Sequence, residues 1–139
     1  MKLKHTPGPW VWKINEVSKF ISLVSLAQMK PIVMDFMRYG TQSAQPRFNV
    51  DMLMEKASDL SQTIKGQEHN ANWNKTISHP DARLIAAAPE MLEILIRILE
   101  AVGAETYNDL YDGYFRDAID AVERITGMTI KEIMEVSND

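Results

Sequence analysis

The sequence predicts an α+β fold: an N-terminal antiparallel β-meander, then a C-terminal helical hairpin packed on the sheet, with a short terminal helix. Three observations lead there. Runs of aromatic and β-branched residues at strand length are confined to the first half, the apolar spacing changes to three-and-four near residue 79, and strands never alternate with helices as βαβ units would require.

WVWKINE (10–16), KFISLVSLAQ (19–28) and PIVMDFM (31–37) read as three strands, the last two separated at hairpin distance by Met29-Lys30-Pro31. RYGTQSAQPRFNV (38–50) is polar and broken by Gly40 and Pro46, which predicts an ordered loop. MLMEK (52–56) predicts a returning strand, ASDLSQ (57–62) a turn or short helix, and the polar residues 65–78 a second long loop.

From 79 to 103, Leu84, Ile85, Ala88, Leu92, Leu95, Ile96, Leu99 and Val102 recur on one helical face. Pro80 suits a first helical position capped by Ser78 or His79, whereas Pro89 inside the run predicts a kink or break near Ala87–Ala88. Gly103 ends this helix. A second stripe, Tyr107, Leu110, Tyr111, Tyr114, Ala118, Val122 and Ile125, stops at Gly127, and Thr129 followed by Glu132 is a capping-box pattern opening a last helix to about Val136.

A chain of 139 residues, 45% hydrophobic, suits a single domain spanning 1–139, divided into a strand-rich half (1–78) and a helical half (79–139). Without cysteine there are no disulfides, thiolate nucleophiles or cysteine-ligated zinc. No run of about 18 apolar residues and no signal-peptide zoning is present, so neither membrane nor export is expected. The net charge of −4 is unevenly placed. Residues 1–79 carry ten Lys/Arg against six Asp/Glu, and residues 80–139 carry five against thirteen, balances of +4 and −8. An anionic ligand is expected to meet the first half, and direct DNA binding by the acidic helices is not expected.

Two segments could carry chemistry. Arg38-Tyr39-Gly40 and Pro46-Arg47-Phe48 bracket a polar stretch with two guanidinium forks, two aromatic faces and a glycine that admits close backbone approach, an anion-binding composition. The same residues could instead pair with acidic helices and edge the core. The loop holding His69, Asn70 and Trp73 has the polarity and single tryptophan of a contact surface. Glu68, His69, His79 and Asp81 fit no metal-ligand spacing and are expected to hold no metal. No cofactor motif and no catalytic signature occurs, so no catalytic residue is nominated and the expectation is a non-enzyme. A small hydrolase using His69 or His79 is the remote alternative. The methionines at 29, 34, 37, 52, 54 and 91 lie in apolar runs and are expected in the core, although methionine also suits adaptable binding surfaces. Ile94, Ile98 and Phe115 widen the helical stripes and leave room for a homo-oligomer.

HTPGPW (5–10) and HPDARLIAAAPEML (79–92) resemble the signature of a loosely defined group of small bacteriophage and prophage proteins, whose usual form is an HTPGPW opening and an ARLIAAAPELLEAL-type helix; MDFMRYGTQSAQPRF (34–48) is similar to a segment of some members. The resemblance implies a phage accessory protein of the host cytoplasm that counters host immunity. Two modes follow from it: sequestering a nucleotide-like signal with Arg38, Arg47, Phe48 and the 68–73 loop, or binding a host nuclease or CRISPR effector through acidic helices bearing Asp117, Asp120 and Glu123. HTPGPW itself, with two fixed φ angles ahead of Trp10, reads as a structural clasp.

Overall fold

The computed structural model describes residues 5–27, 29, 31–37, 44–103 and 113–137. Its order is β1 (Trp10–Asn15), β2 (Phe20–Ser25), β3 (Ile32–Phe36), β4 (Arg47–Val50), β5 (Leu53–Lys56), a 3-10 turn (Ala57–Leu60), β6 (Ser61–Thr63), β7 (Lys75–Ile77), α1 (Pro80–Ala101), α2 (Gly113–Thr126) and α3 (Ile130–Ser137). The fold is α+β, strands first and helices after.

The chain divides into two compact units, one of residues Thr6–Pro89 and one of Glu90–Asp139 with Met1–His5. In the first, an antiparallel sheet runs in the order β3-β2-β1-β7-β6, and β4 and β5 form a separate hairpin. The β1–β2–β3 meander is the one the sequence predicts. Register places Trp12 opposite Leu23 and Ile14 opposite Ile21, so one face gathers these four buried side chains. Phe48, Ala57, Ile77 and Ala82 complete that core. Trp12 ties it together, its indole Nε1–H donating to the Ala82 carbonyl at 2.9 Å across 70 residues of chain.

HTPGPW is a clasp. The Trp10 indole donates to the Thr6 and Pro7 carbonyls, Ser25 Oγ donates to Pro7, and Leu26 N–H donates to the Pro9 carbonyl at 2.8 Å. Residues ahead of β1 are thereby fastened to the end of β2. The Gly8–Pro9 peptide is cis.

Two expected loops contain strands. Within 38–50, Arg47–Val50 pairs with Leu53–Lys56, with Arg47 opposite Lys56 and Asn49 opposite Met54. The turn between them places Asp51 and Met52 at φ of 50° and 73°, the geometry of a hairpin turn that matches strand twist, and Asn49 Oδ1 accepts the Met52 N–H at 3.1 Å. Within 65–78, Lys75–Ile77 pairs with both β1 and β6. Three residues are too few to show a period in a polar segment.

In the second unit, Leu92, Ile96 and Leu99 of α1 pack with Val122 of α2, Met128, and Ile133 and Met134 of α3. α1 runs uninterrupted through Pro89, so of the kink or break expected near Ala87–Ala88 the break does not occur. Pro89 removes one amide from the ladder, and its would-be acceptor, Ile85, sits at an exposed position where water can satisfy the carbonyl. The core face also differs from expectation: Ala82, Ala86 and Pro89 are turned inward or half-inward, whereas Leu84, Ile85 and Ala88 are exposed. The capping box is present as read, with Thr129 N–H donating to Glu132 Oε2 at 2.7 Å and Glu132 N–H to Thr129 Oγ1 at 3.3 Å. Gly103 and Gly127 both take φ of +68° at helix ends, where residues with a Cβ are disfavoured. Of the second apolar stripe, Tyr107, Leu110 and Tyr111 lie outside the described residues. Ala118 and Val122 pack in this core, whereas Ile125 is exposed.

Candidate functional site

Arg38, Tyr39 and Gly40, half of the expected anion-binding segment, lie outside the described residues. Of its other half, Phe48 is a core residue, buried and stacked on the His79 ring with centroids 4.9 Å apart. Arg47 is exposed. Hairpin register sets it directly across from Lys56, and alternation puts Asn49 and Met54 on the same outward face. Neither Arg47 nor Lys56 forms an ion pair among the described residues. Two like charges directly opposite in an antiparallel pair repel, so the hairpin carries an electrostatic cost that an anionic partner would relieve. Its base is firmly held, with Ala57 N–H donating to the Pro46 carbonyl and Ser58 N–H to Gln45 Oε1.

His79 is fully engaged. Its Nδ1 accepts the Asp81 N–H at 3.1 Å, capping α1, so the ring proton resides on Nε2 and is donated to the Asn49 carbonyl at 2.9 Å. No ring nitrogen remains for proton transfer. His69 is exposed on the 65–74 loop, which folds on itself: Asn70 N–H donates to the Gln67 carbonyl, Asn70 Nδ2 donates to Gln67 Oε1, and Gly66 N–H donates to Glu68 Oε1 at 3.1 Å. The backbone N–H groups of Glu68 and Gly66 hold the Glu68 carboxyl below the ordinary glutamate range. Trp73 is half-buried and its ring lies 6.3 Å from that of Phe20, so it anchors the loop to β2. Among the described residues, no three His, Asp or Glu side chains are grouped to hold a metal ion.

The surface feature that sequence reasoning misplaced is methionine. Met29, Met34, Met37, Met52, Met54 and Met91, all expected in the core, are all exposed, Met52 at the hairpin tip by 89%. The core methionines are instead Met128 and Met134. Apolar runs containing Met do not tell core from surface, because a thioether is tolerated in both. Leu53 joins Met52 and Met54, so β5 is exposed at all four positions.

Fold and surface together describe a small α+β protein with a methionine-rich hairpin, whose base carries Arg47 and Lys56 and whose turn and second strand carry Asp51 and Glu55. Among the described residues no helix is long and apolar enough to cross a membrane. A family model described as Salmonella phage P22 protein Y8K6 matches residues 1–129, and the chain belongs to that family of phage proteins. No curated protein and no solved structure matches it.

Proposed function

We propose that this phage protein acts by binding a host protein, as a non-enzymatic counter-defence inhibitor, and that the β4–β5 hairpin is the surface that binds. The observation carrying this reading is the exposure of Met52 and Leu53 at the hairpin tip and of Met54 on the face of Arg47 and Lys56, two cations that form no ion pair among the described residues. Unbranched thioethers repack against varied apolar partners, and a pair of adjacent cations selects an acidic one. The partner chemistry that fits is a segment presenting apolar side chains next to carboxylates. A small-molecule site is concave and buries most of its ligand, whereas this hairpin is exposed along a whole strand. Phe48, the aromatic nominated to stack on a nucleotide, is committed to the core. The acidic-mimicry alternative is weakened by α2, whose exposed positions mix Arg116 and Arg124 with Asp117 and Asp120, and whose Glu123 accepts the Ile130 N–H at 2.7 Å.

The test combines a photo-crosslinking residue at position 54 in phage-infected cells with two double variants, M52S/M54S and R47E/K56E. One host protein should crosslink in the parent and be lost in both variants, with circular dichroism unchanged. Calorimetry against cyclic and linear nucleotides separates the sequestering mode: saturable binding that survives M52S/M54S would overturn the protein-binding reading.

A further inference from the structure

Helix α1 carries two apolar faces, centred about 120° apart around its axis. At about 100° per residue, Leu92, Ile96 and Leu99 share one face and Leu84, Met91, Ile94 and Ile98 the other. The first face is buried in the core of the second unit. The second face is open, its four large side chains between 49% and 57% exposed. The remaining side of the helix is charged, so this apolar stripe stands apart as a surface that a partner would cover.

The open face has an internal order. Leu84, Met91 and Ile98 recur every seven residues, as do Ala87, Ile94 and Ala101, which makes them the two seam positions of a coiled coil. Along one flank the same seven-residue spacing gives Arg83, Glu90 and Arg97; along the other it gives Ala88 and Leu95. These flanks discriminate between partner orientations. In a parallel pair each charged flank would meet the partner's apolar one, leaving the charges without complements. In an antiparallel pair like flanks meet, and Glu90 faces Arg97 of the partner subunit twice over. The seam is then also complementary in size: Met91 opposes the partner's Ile94, Ala87 the partner's Ile98, and Leu84 the partner's Ala101, pairing larger with smaller side chains at two of the three layers.

We propose that α1 is a self-association helix, and that the protein is a homodimer joined by two antiparallel α1 helices through Leu84, Met91, Ile94 and Ile98, with paired Glu90–Arg97 contacts fixing the direction. The α1 surface and the β4–β5 hairpin share no residue, so dimerisation stands or falls independently of hairpin binding.

Sedimentation equilibrium on the full chain should give twice the chain mass at micromolar concentration and a concentration-dependent return to monomer. Arg97→Glu should weaken self-association by about tenfold, since two attractive pairs become repulsive, and Glu90→Arg should do the same. Combining the two should restore the parental affinity, because the pairs are rebuilt with the signs exchanged. This rescue separates an interface from a folding defect. Because the chain has no cysteine, M91C/I94C supplies a direct test of direction: oxidation should link position 91 to position 94 between chains. A monomer at every concentration, a dimer indifferent to Ile94→Asp, failure of the double swap to restore association, or 91–91 and 94–94 links would each overturn the proposal.

Discussion

The two compact units hold themselves together by different means. In the unit of residues 6–89, polar groups tie elements far apart in the chain: Trp12 to Ala82, His79 to Asn49, Ser25 to Pro7. In the helical unit the side-chain hydrogen bonds seen among the described residues are local, close to helix ends, beside an apolar core. Thr126 Oγ1 donates to the Val122 carbonyl at 2.7 Å, Glu123 accepts the Ile130 amide, and Thr129 and Glu132 cap each other. Short strands supply few ladder bonds of their own, so a small sheet depends on single long-range ties. Helices satisfy their backbones internally and need help only at their ends. Substitutions should therefore cost most where one side chain serves both packing and a distant hydrogen bond.

Trp12→Ala is the severest test of that contrast. It should destabilise the protein by about 3–5 kcal/mol in urea unfolding, since it removes a core indole and leaves the Ala82 carbonyl without its donor. Trp12→Phe should recover most of that loss, falling short by about 1 kcal/mol for the missing bond. His79→Ala comes next, at about 2 kcal/mol, because it deprives the Asn49 carbonyl of a donor, the first turn of α1 of its cap, and Phe48 of its stacking partner. Equal costs for Trp12→Ala and a surface change such as Glu93→Ala would remove the basis of the comparison.

The smallest effect belongs to the helical unit. Thr129→Ala should cost about 1 kcal/mol by the same measurement. Glu132 adds a dependence on pH. The Thr129 backbone N–H, then its hydroxyl, hold the carboxyl below the ordinary glutamate range. A lowered folded-state pKa means that the stabilisation is fully present above the ordinary range and is lost as pH falls through the lowered value. Amide chemical shifts at Thr129–Glu132 should report this step, and Glu132→Gln should abolish it.

Much of this architecture was legible in the residues. The meander, the long helix, its capped start at His79–Pro80, the glycine stops and the capping box all follow from local chemistry, in which neighbours in sequence decide the outcome. What was hidden depends on distant partners. β4 and β7 are strands because of what they pair with, and their four and three residues carry no period of their own. Phe48 looked like a stacking residue because its sequence neighbours are Pro46 and Arg47; its burial comes from the sheet core and from His79, thirty-one positions on. The expected core face of α1 holds from Leu92 to Val102 and fails only in the first turns, where Ala82, Ala86 and Pro89 are turned inward in place of Leu84, Ile85 and Ala88. Small residues carry little apolar signal, so a tightly packed stretch of alanines is read onto its larger neighbours.

The order of the five-stranded sheet leaves β3 and β6 as its margins. β6 is three residues long and polar, and β3 follows Pro31, which has no amide to offer, and faces an irregular register between Leu23 and Val24. Short length, a proline and a bulge are the devices by which sheets avoid recruiting strands from neighbouring molecules. The margins of the five-stranded sheet are therefore poor templates for a strand added from another molecule, and backbone polymerisation of the amyloid kind is disfavoured there.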